Sequence, residues 1–269
     1  MRTLHNSFKH ALREGGQQYG FWLGLCSPLS AELCGLCGYD WLLIDAEHAP
    51  NDLRSVHAQL LAIGNTPSHP VVRLVEGDAA LIKQMLDLGV QSLLIPSVET
   101  ADQARALVAT TRYPPKGVRG VGTALARVAG WNLIPDYFAN ADNEICLLLQ
   151  VESVRALENL EDILTVDGVD GVFIGPADLA ASMGHLGNPT HTDVVHAVES
   201  ALQTIRSAGR SAGTLVTSKT LAHQYERAGA QFVALGVDTL ALAYNARNTL
   251  ESHLGDREHG SEPQGNGAY

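Results

Sequence analysis

Eight short apolar runs punctuate the chain, and each is followed by a segment with helical periodicity. The runs occupy residues 19–24, 41–45, 70–74, 92–98, 145–152, 171–175, 212–216 and 232–237. Between them, Leu53, Val56, Leu60 and Ile63 share one helical stripe, Leu81, Met85 and Leu88 a second, and Val194, Val198, Leu202 and Ile205 a third. A strand buried on both faces reads as a continuous apolar run, whereas a helix lying over a sheet shows a single apolar stripe. The alternation therefore predicts an α/β protein with a parallel sheet covered by helices. Eight such units predict closure into a (β/α)8 TIM barrel, and 269 residues suit one barrel. An open doubly wound sheet is the competing architecture. A glycine-rich phosphate loop after the first strand would mark it, and Gly20 and Gly24 make no such fingerprint.

Start and stop signals fit the same rhythm: Ser30 and Asp52 read as N-caps, and Gly89 and Gly229 end helices before a strand. Two regions break it. Residues 111–143 form a long excursion between the fourth and fifth strands, with Arg119, Arg127 and Trp131 in it, and a connection of that length reads as a functional loop or an interface. The polar, glycine-containing stretch 255–269 has no apolar period and reads as a mobile tail. The predicted organisation is thus one barrel over residues 1–254 followed by that tail.

Charge narrows the function classes. Eighteen Lys and Arg against 29 Asp and Glu give a formal charge of -11, which argues against a nucleic-acid or anionic-membrane surface. No run of about 20 apolar residues is present to span a bilayer. The first six residues, with no apolar run behind them, do not read as a signal peptide. Cys34 and Cys37 form a CxxC, but they lie in an apolar helical stripe without two further well-spaced ligands. They read as buried thiols in a reducing compartment, so the expected location is the cytoplasm.

Catalytic side chains of barrels gather at the C-terminal ends of the strands. Strand two ends Asp45-Ala46-Glu47-His48, strand three carries Arg73, strand five ends Gln150-Val151-Glu152, and strand six runs into Gly175-Pro176-Ala177-Asp178. Glu152 and Asp178 come from neighbouring strands and converge. Two carboxylates in a confined site repel, so either one is protonated or a cation neutralises both. A divalent metal such as Mg2+, Mn2+ or Co2+ satisfies them; a helix cap at Glu152, or pairing of Glu152 with Arg73, is the plainer reading. Asp45 is placed to orient the ring of His48 and make it a general base near neutral pH, although a strand-end histidine also serves as a simple hydrogen-bonded group. Arg73, facing the mouth, suits a developing oxyanion or a carboxylate, or else pairs with Asp45 or Glu47. His57, His196 and His223 fall on helices and should meet solvent. The four lysines, Lys9, Lys83, Lys116 and Lys219, lie outside the strands. That disfavours a Schiff-base mechanism, which needs an amine inside a dry mouth.

These motifs carry a family pattern. From about Phe8 to Leu254 the chain resembles the class II pyruvate aldolases of the HpcH/HpaI family. The likeness rests on Leu43-Ile44-Asp45-Ala46-Glu47-His48-Ala49-Pro50, Lys83-Gln84-Met85-Leu86-Asp87-Leu88-Gly89, Tyr113 to Gly122, and Ile174-Gly175-Pro176-Ala177-Asp178-Leu179, in that order. The resemblance implies a barrel of the phosphoenolpyruvate/pyruvate type that reversibly cleaves 4-hydroxy-2-oxo acids to pyruvate and an aldehyde, an activity placed in aromatic-compound catabolism. It further implies that Glu152 and Asp178 bind a divalent metal, which the 2-oxo acid chelates. By the same likeness the backbone around Gly175 and Ala177 holds the pyruvyl carboxylate, with Gln150 beside it. Arg73 is assigned to the enolate oxygen, and His48 with Asp45 to proton transfer at the C4 hydroxyl. The family likeness also implies a homohexamer whose paired subunits exchange C-terminal helices, with Asp87 reaching the neighbour's site. Residues 122–131 depart from the pattern near Gly130, where a basic or polar residue is common, which bears on the aldehyde. Two other activities stay open: a citrate-lyase-like C–C lyase acting on a CoA thioester, for which no extra basic cluster is evident, and a barrel that only binds 2-oxo acids.

Overall fold

The computed structural model describes residues 4–254; the polar tail expected at 255–269 lies outside them. Eight parallel strands close into a barrel in chain order: β1 (Gln18–Leu23), β2 (Trp41–Asp45), β3 (His69–Arg73), β4 (Ser92–Ile95), β5 (Cys146–Val151), β6 (Gly171–Ile174), β7 (Ser211–Leu215) and β8 (Phe232–Val237). The helices are α1 (Ser7–Arg13), α2 (Pro28–Gly35), α3 (Leu53–Ile63), α4 (Ala79–Leu88), α5 (Ala101–Thr111), α6 (Tyr137–Asn140), α7 (Val154–Glu158), α8 (Leu160–Leu164), α9 (Pro176–Ser182), α10 (Thr192–Ser207), α11 (Lys219–Arg227) and α12 (Asp238–Leu254). No described helix is long and apolar enough to cross a membrane.

Side-chain alternation divides the apolar residues between two layers. Leu42, Ile44, Val72, Leu93, Leu149 and Val172 point outward and pack beneath the helices. Trp22, Trp41, Leu43, Val71, Leu94, Leu148, Phe173 and Phe232 point inward and fill the barrel. Bulky rings fit there because small residues face them: a Cβ on Gly20 would lie 2.1 Å from the Trp41 ring, and one on Gly213 would lie 2.2 Å from Phe232. Helix α1 closes the base, sending Phe8 and Leu12 into the interior cluster. At the same end Lys9 is buried against Asp170 at 3.0 Å.

Several local expectations shift. The N-cap of α2 is Ser27 rather than Ser30, because Pro28 opens the helix, where its missing N–H costs nothing; Asp52 does cap α3. Gly89 ends α4 in the left-handed region at φ 100°. Strand β4 stops at Ile95, since Pro96 cannot extend the ladder and Ser97 turns to φ 55°. Cys34 and Cys146 are buried as thiols, but Cys37 lies past the end of α2 and is exposed. His196 and His223 meet solvent on their helices, whereas His57 is half-buried.

The excursion after α5 has a core of its own, built from Tyr113, Ala126, Val128, Ala129, Tyr137 and Ala141. Its outer side exposes Val118, Val121, Leu125, Trp131, Leu133 and Phe138. Helix α12 leaves the barrel similarly bare: only Asp238 is buried, while Leu242, Tyr244 and Leu250 face outward.

Candidate active site

Parallel pairing puts every βα junction at one end of the barrel, and the register decides which polar residues meet there. Asp45 pairs with Arg73 across β2 and β3. Both side chains are buried, and they form a fork: Arg73 Nε donates to Asp45 Oδ1 at 3.0 Å and Nη2 to Oδ2 at 2.6 Å. The indole N–H of Trp22 donates to Asp45 Oδ2 at 3.2 Å, and the Arg73 guanidinium lies 5.0 Å from the centroid of the same ring. Burial alone would raise the Asp45 carboxyl, but the Arg73 fork, with the Glu47 N–H and Trp22, outweighs it and holds the group below its ordinary value.

Glu47 is the second partner of Arg73. Its Oε2 stands 2.8 Å from Nη1 yet out of line with the N–H, so that buried oxygen has no hydrogen-bond donor. Burial raises the Glu47 carboxyl, against the pull of Arg73, with Glu152 and Asp45 adding to the rise. The plainer reading of Arg73, a partner for these two acids, describes its contacts in this chain.

Asp45 does not orient the His48 ring. Both its oxygens are taken by Arg73, and Oδ1 also accepts the backbone N–H groups of Glu47 and His48, at 2.9 and 3.3 Å. What Asp45 fixes is the main-chain turn that carries His48. The ring itself is 65% exposed at the rim, with Nε2 3.9 Å from Glu47 Oε2.

Glu152 follows β5 and is buried. Its Oε1 accepts from the N–H of Ser97 at 2.8 Å and from the Ser97 hydroxyl at 3.2 Å, while Oε2 accepts from Gln150 Nε2. Burial lifts its carboxyl above the ordinary value, Asp178 lifts it further, and the Gln150 and Ser97 contacts oppose both. Glu152 neither caps α7, where Ser153 is the cap, nor pairs with Arg73.

Two cavities share His48 and Asp178. One, of about 660 Å³, is lined by Asp45, Arg73, Gln150, Gly175 and Ala177, with Trp22, Phe173 and Leu215 as its apolar walls. The other, of about 270 Å³, is lined by Glu47, Glu152 and Ser97. Gly175 keeps the floor between them open: a Cβ there would lie 2.7 Å from Glu152 Oε2 and 3.2 Å from Gln150 Nε2. Asp87 lines neither. It sits on α4, where its Oδ1 accepts from the buried Arg119 at 3.4 Å.

The donor set fits a hard divalent cation. Glu152 and Asp178 line one cavity, the buried Glu47 Oε2 and Gln150 Oε1 lack hydrogen-bond partners, and burial together with the nearby Asp178 raises the Glu152 carboxyl. The tighter three-ligand clusters among the described residues, His5/His10/Glu144 and His185/His191/Asp193, contain none of these groups.

Trp22, Glu47 and Ser97 complete the set the strand ends predict. Glu47 stood in the strand-end pattern only as an alternative partner for Arg73, with no role in the chemistry, and Trp22 sat unmarked inside an apolar run. Ser97 carries no local signal at all.

Comparison with known proteins identifies the family. Over 269 residues the chain is 58% identical to the hydroxypyruvate/pyruvate aldolase of Deinococcus radiodurans, covering 99% of this chain and 97% of that one. It is 56% identical over 243 residues to a 4-hydroxy-2-oxo-heptane-1,7-dioate aldolase of Klebsiella pneumoniae, covering 90% of this chain and 92% of that one. A crystal structure of an HpcH/HpaI aldolase/citrate lyase family protein from Burkholderia cenocepacia superposes with a TM-score of 0.89 at 40% identity, covering 93% of this chain and all of that one. The profile of the family itself spans residues 18–245, from β1 into α12 and so across every strand end described above; the chain belongs to the HpcH/HpaI aldolase/citrate lyase family.

Proposed function

We propose that the protein is a divalent-metal-dependent class II aldolase that reversibly cleaves 4-hydroxy-2-oxo acids to pyruvate and an aldehyde. One observation carries this reading: Glu152 and Asp178 face a single cavity, and a buried guanidinium, Arg73, stands in the cavity beside it. Close relatives named for hydroxypyruvate, pyruvate and 4-hydroxy-2-oxo-heptane-1,7-dioate support the substrate class. Glu152 and Asp178 would hold Mg2+, Mn2+ or Co2+, and the bound ion supplies Lewis-acid stabilisation to the 2-oxo acid.

The protein's own groups divide the remaining work. Retro-aldol cleavage leaves negative charge on the pyruvate fragment. Arg73, locked by Asp45, Glu47 and Trp22, offers its remaining N–H groups toward that oxygen without having to reorganise. The backbone at Gly175 and Ala177 borders the pyruvyl carboxylate, and Gln150 steadies Glu152 while lining the same cavity. His48, at the solvent-facing rim, takes the proton of the C4 hydroxyl, directly or through water, as the carbon–carbon bond breaks. Asp45 contributes by fixing Arg73 and the backbone of His48.

The surfaces left bare are consistent with the proposed assembly. An α12 with one buried residue and three large exposed apolar side chains suits a helix exchanged between paired subunits. The apolar flank of the excursion and the half-exposed Asp87 suit contact with a neighbour's site, and we propose a homohexamer on the family likeness. Four free cysteines support a cytoplasmic location.

The deciding assay uses protein stripped of metal and resupplied with Mg2+, Mn2+ or Co2+, incubated with several 4-hydroxy-2-oxo acids while pyruvate is measured. Metal-dependent release is expected. Metal-independent cleavage that borohydride traps would overturn the assignment, and cleavage of none of the acids would leave a binding barrel.

A further inference from the structure

Away from the mouth, at the base of the barrel, two imidazoles and a carboxylate meet. His5 precedes α1, His10 lies on it, and Glu144 stands just before β5; one ligand atom from each lies within 4.8 Å of the others. Glu144 precedes the strand that Glu152 follows, so the two carboxylates stand roughly 26 Å apart at about 3.3 Å per residue.

We propose that His5, His10 and Glu144 form a second divalent-metal site, selective for imidazole-seeking ions such as Cu2+, Ni2+ or Zn2+. The carboxylate is already fixed, because Oε2 accepts the backbone N–H of Asn6 at 2.6 Å. His10 Nε2 lies 3.1 Å from Oε1 and 3.2 Å from Oε2. Two ligands that bind one ion at about 2.1 Å, with angles of about 90–110°, are themselves roughly 3.0–3.4 Å apart, so this pair needs little movement to admit an ion. His5 is exposed, and its ring sits 4.5 Å from that of His10 at an interplanar angle of 30°. One His5 nitrogen already lies within 4.8 Å of the other two ligand atoms, so a turn of that exposed side chain would bring it to the third position.

Donor chemistry separates the two ends of the molecule. A set of two nitrogens and one oxygen ranks Cu2+, Ni2+ and Zn2+ far above Mg2+, whereas the oxygens at the mouth suit the hard ions. The other histidine pair is less suited. His185 and His191 stack at 3.6 Å and 15°, planes too nearly parallel to converge on one ion, and His191 Nδ1 already accepts the Asp193 N–H as the cap of α10. Because α1 plugs the barrel through Phe8 and Leu12, an ion bridging it to Glu144 acts as a clamp on the base.

The test uses the full-length protein, stripped with a chelator and held in excess Mg2+ to occupy the mouth. One equivalent of Cu2+ is added and its electron paramagnetic resonance is read for nitrogen couplings; Zn2+ affinity is measured by calorimetry and Tm is followed with Zn2+. The wild type, Glu152→Gln and His191→Ala should all show two nitrogen ligands, the same Zn2+ affinity and a rise in Tm. His10→Ala and His5→Ala should each bind Zn2+ at least tenfold more weakly and lose that rise. Two nitrogen couplings that survive in His10→Ala, or couplings that vanish in His191→Ala, would overturn the site. So would undiminished affinity in His5→Ala, or copper bound through oxygen alone. Because the readouts are ligation and Tm rather than turnover, the result stands apart from whether the mouth is an aldolase.

Discussion

Replacing Arg73 tests the proposed chemistry most sharply, because the side chain is held on three sides and each hold predicts a different consequence. Its guanidinium donates to Asp45 at 3.0 and 2.6 Å, pairs with Glu47 at 2.8 Å and lies over Trp22 at 5.0 Å. Arg73→Ala leaves the buried Asp45 and the half-buried Glu47 without their cation, and breaking a buried pair this way costs about 3–5 kcal/mol of stability. That loss would obscure any kinetic effect. Arg73→Lys retains the charge but replaces the planar fork with a single ammonium that cannot span both Asp45 oxygens and still reach the substrate. Losing one preorganised stabiliser of a developing oxyanion costs about 2.7–4 kcal/mol, or roughly 10²–10³ in kcat. The expected outcome for Arg73→Lys is therefore a folded, metal-binding protein whose kcat for pyruvate release falls about a hundredfold with little change in KM. Exchange of the pyruvate methyl protons into deuterated water should fall in parallel, because it passes through the same enolate without any aldehyde. A lysine variant with kcat within about threefold of wild type would refute the argument that fork geometry, rather than charge alone, serves the enolate.

Other groups give sharper separations. His48→Ala should lose about 10²–10⁴ in aldol cleavage while retaining methyl-proton exchange; equal loss in both assays would move His48 from the C4 hydroxyl to the enolate. Gly175→Ala has no backbone conflict, at φ -89°, but its Cβ would press on Glu152 at 2.7 Å. Mn2+ titration should show affinity weakened about 10–100-fold, and unchanged affinity would show that Glu152 is not a ligand. His69 is buried and its pKa is lowered to about 4 from 6.5. Between those values the unfolded chain takes up a proton that the folded ring refuses, so stability is lost as pH falls, by up to about 3 kcal/mol. Urea unfolding of His69→Asn from pH 7 to pH 4 should lack that part of the slope, and an identical slope would place the titration elsewhere. Finally, mixing Asp87→Asn with His48→Ala, after dissociation and reassembly, should restore activity that neither has alone if Asp87 serves a neighbouring site; no recovery would confine each site to one chain.

What the sequence made legible followed from how far each signal reaches. The strands announce themselves because a parallel barrel strand is apolar on both faces, so Asp45, Arg73, Gln150 and Glu152 stand out where the apolar runs end. The contacts among them depend on register between strands, which periodicity does not encode. Asp45 faces Arg73 across β2 and β3, and that pairing occupies the carboxylate expected to orient His48. Ser97 reaches Glu152 only because Pro96 ends β4 one residue before it, beside β5. Trp22 is unreadable in advance for another reason: its ring belongs to the apolar interior, and a single N–H ties it to the site.

These contacts also explain how the barrel holds so much buried charge at its mouth. Asp45 and Glu47 by themselves would destabilise the fold, and Arg73 compensates them at short range. Among the described residues Glu152 forms no ion pair and has only the donors of Ser97 and Gln150, and burial with Asp178 keeps its carboxyl raised. The mouth therefore contains one pair of acids that shares the Arg73 cation and one pair without an arginine or lysine partner among the described residues, with Gly175 holding open the space beside the second. A site arranged for stability alone would place a lysine or arginine there. On the proposed function that charge would receive an ion that the substrate also touches, and the affinity of each would then depend on the other.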